Sequence, residues 1–484
     1  MSVFVLALRS RPFCPAGWYI RCYGKAYEYQ QKNSFFPILL MLSLHPYLII
    51  IYISVMGIIK RMSVLLIVIL SGYTSVYSQT LADVKMGEIL NNGDLFQIKE
   101  QYPILKDSVS IEMLNLVSEA QLGIGFNQLE RAGVALDSLL QFHQAELGAE
   151  TSIGMAALQG MNFLNLGKYE QAGKVGEGLV NTLKKSVPFE ALYSFVFIEK
   201  VGKALANVPE PYLERPDRDI TVPSTVKTVG RGKHIYIPVE VNGITKNYIF
   251  DTGCSFGNFV SEKYAEEVGL KVLADSIPVS GMEIGFVKLA VADSLRIGEL
   301  VYHNPVFMVA PPDNEVDSVF AFDGVLGYHF IRDAREIIID NEAGRFIFPQ
   351  EISDGEPNMY LSSNTPQVRI SYDGHPLDLI FDTGNVKSDL GNKFAETFPD
   401  AIEGLTEQTT SRGGFGGISQ TKAVVLPEFR FEVAGSTVTL YNTEVIKNTE
   451  SGSQLFSGSL GADFVLSFKR LVINYQSMFI RGEK

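Results

Sequence analysis

The run Val-Asn-Gly-Ile-Thr-Lys-Asn-Tyr-Ile-Phe-Asp-Thr-Gly (Val241 to Gly253) aligns without a gap with Tyr-Asp-Gly-His-Pro-Leu-Asp-Leu-Ile-Phe-Asp-Thr-Gly (Tyr372 to Gly384), 131 residues further on. A second match follows in each copy. Asp323-Gly324-Val325-Leu326-Gly327-Tyr328-His329-Phe330 corresponds to Ser457-Gly458-Ser459-Leu460-Gly461-Ala462-Asp463-Phe464 at a separation of 134, and the segment from Glu336 corresponds to that from Arg470. A chain with this pattern is expected to contain one β unit of about 115 residues duplicated in tandem. Each copy carries an apolar strand, Tyr248-Ile249-Phe250 or Leu379-Ile380-Phe381, that stops at Asp-Thr-Gly.

A carboxylate at the end of a buried strand is costly unless it is hydrogen-bonded or shared. Gly253 and Gly384 allow a tight backbone turn there, and the hydroxyls of Thr252 and Thr383 can bond across to the other copy. Two such ends facing one another across a pseudo-twofold axis bring Asp251 and Asp382 together. Adjacent carboxylates resist ionising together, so the pair is expected to hold one proton between them. The ionised member then takes a proton from water as general base, while the protonated member polarises a peptide carbonyl.

These residues resemble the retropepsin-like and pepsin-like aspartic proteases. The resemblance spans roughly Lys233 to the C-terminus and rests on the two Asp-Thr-Gly triplets and the two Gly-x-Leu-Gly turns, Gly324 to Gly327 and Gly458 to Gly461. It implies that Asp251 and Asp382 are catalytic, that Thr252, Gly253, Thr383 and Gly384 support them, and that the Gly-x-Leu-Gly segments pack behind the catalytic loops. It also implies mobile hairpins over the substrate, with candidates at Gly281, Met282 and Gly285 in the first half and Gly414, Phe415 and Gly416 in the second. The alternative for each is an ordinary exposed hairpin tip. Two positions depart from the family, which favours serine, threonine or alanine after Asp-Thr-Gly: here stand Cys254 and Asn385. Cys254 has no histidine close in sequence and reads as a buried, inert thiol.

Upstream, residues 81 to 208 show apolar residues at three- and four-residue steps, a helical pattern. Gly125 to Leu140 resembles Gly167 to Leu183 at a spacing of 40, and the second stretch resembles a tetratricopeptide repeat. A plain helical prodomain or spacer is the alternative. The prolines from Pro209 to Pro223 suggest a boundary. The expected organisation is an apolar leader and signal peptide (1–78), a helical domain (79–210), a linker (211–232), and two lobes (233–356 and 357–484), giving a multidomain α plus β chain with a bilobal all-β acid-protease fold.

Within the leader, Lys60 and Arg61 precede an apolar run and then small residues, the layout of a secretory signal over about 56–78. Export to the periplasm or outside the cell is expected, with a membrane anchor through residues 35–59 as the alternative. The net charge of −13 and the absence of a basic stripe argue against nucleic acid. The scattered histidines and three cysteines make no metal-binding pattern, and no cofactor is expected. The function expected is a monomeric aspartic endopeptidase acting on polypeptide, with a protein partner possible through the helices. The alternative is a protease-derived module that only binds a protein or peptide.

Overall fold

The computed structural model describes residues 79–312, 322–447 and 457–484. The leader, with both the signal-peptide and the anchor expectation, lies outside the described residues.

Among the described residues seven α-helices come first: α1 (Leu81–Asn92), α2 (Leu95–Leu105), α3 (Glu112–Gly125), α4 (Leu129–Phe142), α5 (Gln144–Asn165), α6 (Tyr169–Leu183) and α7 (Tyr193–Leu205). The capping box of Thr80 and Asp83 starts α1, and the Asp94 carboxylate, accepting from the amides of Phe96 and Gln97, starts α2. The turns before α4 and α6 are built alike. Gln128 N–H donates to Gly123 O at 2.7 Å and Lys168 N–H to Phe163 O at 2.8 Å. Asn127 and Gly167, at φ 56° and 70°, take the left-handed position in each turn. Ala132 and Ala172 are fully buried just beyond.

Two large sheets follow. In the first, strands Gly232–Val241, Ile244–Phe250, Gly324–Leu326, Asn258–Ser261, Val306–Ala310, Ile284–Val291 and Lys271–Ser280 lie side by side in that order. In the second, Thr365–Tyr372, His375–Phe381, Gly458–Leu460, Asp389–Leu390, Ser436–Ile446, Gly417–Val433 and Glu407–Gly414 do the same. The opening hairpin of each turns through two residues at positive φ, Asn242-Gly243 and Asp373-Gly374, the backbone that a tight hairpin requires. The strands leading to the Asp-Thr-Gly triplets bury Phe250 and Phe381 completely, worth about 1.5–3 kcal/mol each.

A third, five-stranded sheet joins the lobes. Glu336–Asp340 pairs antiparallel with Arg470–Asn474, and Ile338 sits opposite Val472. The residues expected to form a linker are themselves paired. Tyr212–Glu214 joins the edge of the first sheet, Ile220–Pro223 joins the five-stranded sheet, and Thr225–Val229 pairs with Gly232–Val241. Pro223 is tolerated because its strand lies at a sheet edge, where a missing N–H costs no ladder bond.

The helices straddle both lobes. On the second, the Phe96 ring packs edge-on against Tyr360 at 5.6 Å, and Arg369 stacks over Phe96 while pairing with Asp94 at 3.0 Å. On the first, Phe195, Ile198 and Val201 of α7 share a buried cluster with Ile277, Val287 and Leu289 of the outer hairpin.

Candidate active site

Where the strands Ile244–Phe250 and His375–Phe381 end, the two Asp-Thr-Gly triplets meet. Thr252 Oγ1 donates to Phe381 O and Thr383 Oγ1 donates to Phe250 O, both at 2.6 Å. Each hydroxyl also accepts the other loop's amide, Thr383 N–H into Thr252 Oγ1 and Thr252 N–H into Thr383 Oγ1, both at 3.1 Å. Both threonines are fully buried. Four hydrogen bonds, matched in pairs, therefore fix one loop against the other.

The carboxylates face each other above this lattice. A Cβ added at Gly253 would stand 2.5 Å from Cγ of Asp382, and one at Gly384 would stand 2.4 Å from Cγ of Asp251, so no larger residue fits at either position. Asp251 Oδ1 accepts the amides of Gly253 and Cys254 at 2.7 and 3.1 Å; Asp382 Oδ1 accepts those of Gly384 and Asn385 at 3.0 and 3.1 Å. Burial, then the charge of Asp382, then the hydrogen bond between the two carboxyls raise Asp251 well above the usual carboxylate range. Asp382 is also raised by burial, and the bond to Asp251 and the loop amides oppose the rise. A pair of this kind retains one proton where isolated carboxyls have lost both.

The Gly-x-Leu-Gly strands run parallel to the strands that carry the aspartates. Asp251 N–H donates to Leu326 O at 3.1 Å and Asp382 N–H to Leu460 O at 3.0 Å; Tyr328 N–H and Ala462 N–H return bonds to Cys254 O and Asn385 O. The two departures from the family pattern act through the backbone, since the amides of Cys254 and Asn385 hold the carboxylates. Their side chains point elsewhere. Cys254 Sγ lies 3.9 Å from Gly257 O, and burial followed by the charge of Asp251 pushes the thiol up, leaving it neutral. The Asn385 amide donates to Ser459 Oγ at 2.7 Å and to Asp389 Oδ2 at 3.2 Å.

Both glycine-rich candidates are hairpin tips, and the tips touch. Gly281 and Met282 lie between the strands Lys271–Ser280 and Ile284–Val291, with Gly285 opposite Val279 on the return strand. Gly414 ends the strand Glu407–Gly414, and Phe415 and Gly416 form the turn that follows. Met282 N–H donates to Phe415 O at 2.7 Å. The Phe415 ring lies so close over Gly285 that a Cβ there would meet it at 2.6 Å, and it packs edge-on against Phe259 at 5.0 Å. Beneath the joined tips is a cleft of about 1610 Å³ lined by Asp251, Asp382, Gly253, Gly384, Met282 and Phe415 among others.

Several supporting residues are not marked by any motif. His234 donates from Nε2 to Gly384 O at 2.9 Å, and burial lowers its pKa against the opposing pull of that bond and of Asp382. His329 Nδ1 accepts Gly257 N–H at 3.2 Å; burial and then Arg332 bring its pKa down to about 3. Asn165, at the end of α5, exchanges amide hydrogen bonds with Asn364, which in turn donates to Ser255 O. His329 was detectable as the position where the repeat has Asp463 instead; Asn165 and Asn364 had no local signal.

Residues 237–330 match the family model of the aspartyl proteases. A retropepsin-like aspartic protease from Rickettsia conorii is 19% identical over 28% of this chain and 92% of its own, with a TM-score of 0.20. Conglutin gamma, a basic 7S globulin from lupine seeds, is 10% identical over 56% of this chain and 94% of its own, with a TM-score of 0.32. No curated protein matches the chain. The region around the first Asp-Thr-Gly is thus similar to aspartyl proteases.

Proposed function

We propose that the chain is an aspartic endopeptidase in which Asp251 and Asp382, one from each of two tandem copies of a β unit, hydrolyse a peptide lying in the cleft. The observation that carries this reading is the reciprocal threonine lattice, which sets the two carboxyls in hydrogen-bonding contact. In the reaction the ionised carboxylate takes a proton from water as its oxygen attacks the carbonyl carbon, and the protonated carboxyl gives its proton to the carbonyl oxygen. The resulting gem-diol collapses as a proton passes to the amide nitrogen and the C–N bond breaks. The Thr252, Gly253, Thr383 and Gly384 scaffold keeps the pair in place throughout, and the touching tips at Met282 and Phe415 exclude bulk water.

The matching strand orders of the two large sheets support the tandem duplication, and the equivalent turns before α4 and α6 support a tetratricopeptide-like pair. Both half-sites lie on one chain, so the active unit is a monomer. The basic and apolar pattern of residues 56–78 supports export.

An unbiased peptide library incubated with the purified protein from pH 3 to pH 8 tests the reading. Cleavage that disappears in Asp251→Asn is the expected result. A protein that binds peptides in the library yet cuts none of them at any pH would be a binding module instead.

A further inference from the structure

The cleft is not walled by the two lobes alone. Helices α5 and α7 reach it: Met161 on α5 and Tyr193 and Phe197 on α7 line the same continuous cavity as Asp251 and Asp382. All three side chains are half-buried, with surface still open to that space. They meet aromatic residues of the first lobe, Phe197 edge-on to Phe256 at 5.2 Å and Tyr193 edge-on to Phe286 at 5.6 Å. Phe286 belongs to the first hairpin and is 47% exposed, so an apolar surface faces the cavity from both sides of the contact.

This wall is fixed in position. Lys200 Nζ on α7 donates to the carbonyls of Ser276 and Asp275 at 2.9 and 3.3 Å, where the hairpin strand bulges. At the other end Arg332 Nη1 donates to Asn165 O at 2.6 Å, and the Asn165–Asn364 pair ties α5 to the backbone at Ser255. The side of the cleft formed by the second lobe is different in chemistry: Arg412 pairs with Asp389 there, and Glu444 pairs with Arg231, which reaches over from the turn before the first-sheet strand Gly232–Val241.

We propose that α5 and α7 are a permanent part of the substrate cleft and that the space between Met161, Tyr193, Phe197 and Phe286 receives one large apolar side chain of the peptide being cut. The occupant follows from continuity, because a chain extended past Asp251 and Asp382 enters the same cavity. Its chemistry follows from the lining, since aromatic and thioether surfaces gain by leaving water together. The helical region is then retained in the working protein. Removing it would expose Ile277, Val287, Leu289 and Met308, which are buried in one cluster with α7.

The inference rests on the peptidase reading, and its test separates the two. The purified protein, Tyr193→Ala and Met161→Lys would be compared on a positional peptide library, with thermal melting to show that each is folded. For peptides with a large apolar residue at one particular position, Tyr193→Ala is expected to raise KM about ten-fold while kcat changes less than about two-fold. Met161→Lys is expected to move the preference at that same position toward acidic residues; it carries the test if Tyr193→Ala does not fold. Folded, active variants with unchanged profiles would overturn the helical wall and leave the peptidase reading standing. An unaltered protein that cuts nothing would remove both.

Discussion

The two Asp-Thr-Gly loops have matching inner halves and different outer halves. Inside, Thr252 and Thr383 exchange the same bonds at the same lengths, and each aspartate receives the amides two and three residues on. Outside, the backbone at Gly257 donates to His329 whereas its counterpart at Ser388 donates to Asp463. The Cys254 thiol makes a long sulfur contact with Gly257 O, whereas the Asn385 side chain donates to Ser459 and Asp389. The helical region reaches the first loop through Asn364 and Ser255, and His234 supports the second from the opposite lobe. The symmetric part is what a shared proton needs, and the supports are free to differ so long as every buried polar group finds a partner.

Breaking the symmetric part should cost most. Thr252→Ala and Thr383→Ala each orphan one buried amide and one buried carbonyl, so each is expected to lower stability by about 2–4 kcal/mol in denaturant unfolding. Thr→Ser at either position should recover most of the loss. Unequal costs at the two positions would show that the lattice is less symmetric than its distances. The outer halves should respond unequally: Asn385→Ala leaves Ser459 and Asp389 short of a donor and is expected to cost about 1–2 kcal/mol, while Cys254→Ala should cost less than about 1 kcal/mol.

The smallest effect concerns pH. An Asp251 carboxyl raised in the folded protein binds its proton more tightly than in the unfolded chain, where the pKa is about 3.9. Stability is then lost as pH rises above that value through the folded pKa. Asp251→Asn is therefore expected to melt higher than the unaltered protein at pH 7, with the gain gone near pH 4. An equal difference at both pH values would mean that the carboxyl is not raised.

The aspartates, their threonines and the strand turns behind them were legible in the sequence because each occurs twice, the triplets 131 residues apart and the turns 134. Gly281, Met282, Gly414 and Phe415 were legible as hairpin tips from glycine clustering, but nothing local shows that Phe415 lies over Gly285. The supports were hidden for the same reason: Asn165 and Asn364 are 199 residues apart, and His234 and Gly384 are 150 apart. The prolines between Pro209 and Pro223 suggested a linker, whereas the segment pairs into sheets whose partner strands lie about a hundred residues downstream. Composition separated helices from strands but carried no sign that α5 and α7 line the cleft.

Peptide hydrolysis by this pair requires that Asp251 and Asp382 act as one unit. Measuring kcat/KM for Asp251→Asn, Asp382→Asn and the double variant, on a peptide that the unaltered protein cuts, tests it directly. Each single substitution is expected to lower kcat/KM by at least about a thousand-fold, with the double variant scarcely worse. Near-full activity in either single variant, or losses that multiply in the double, would contradict it.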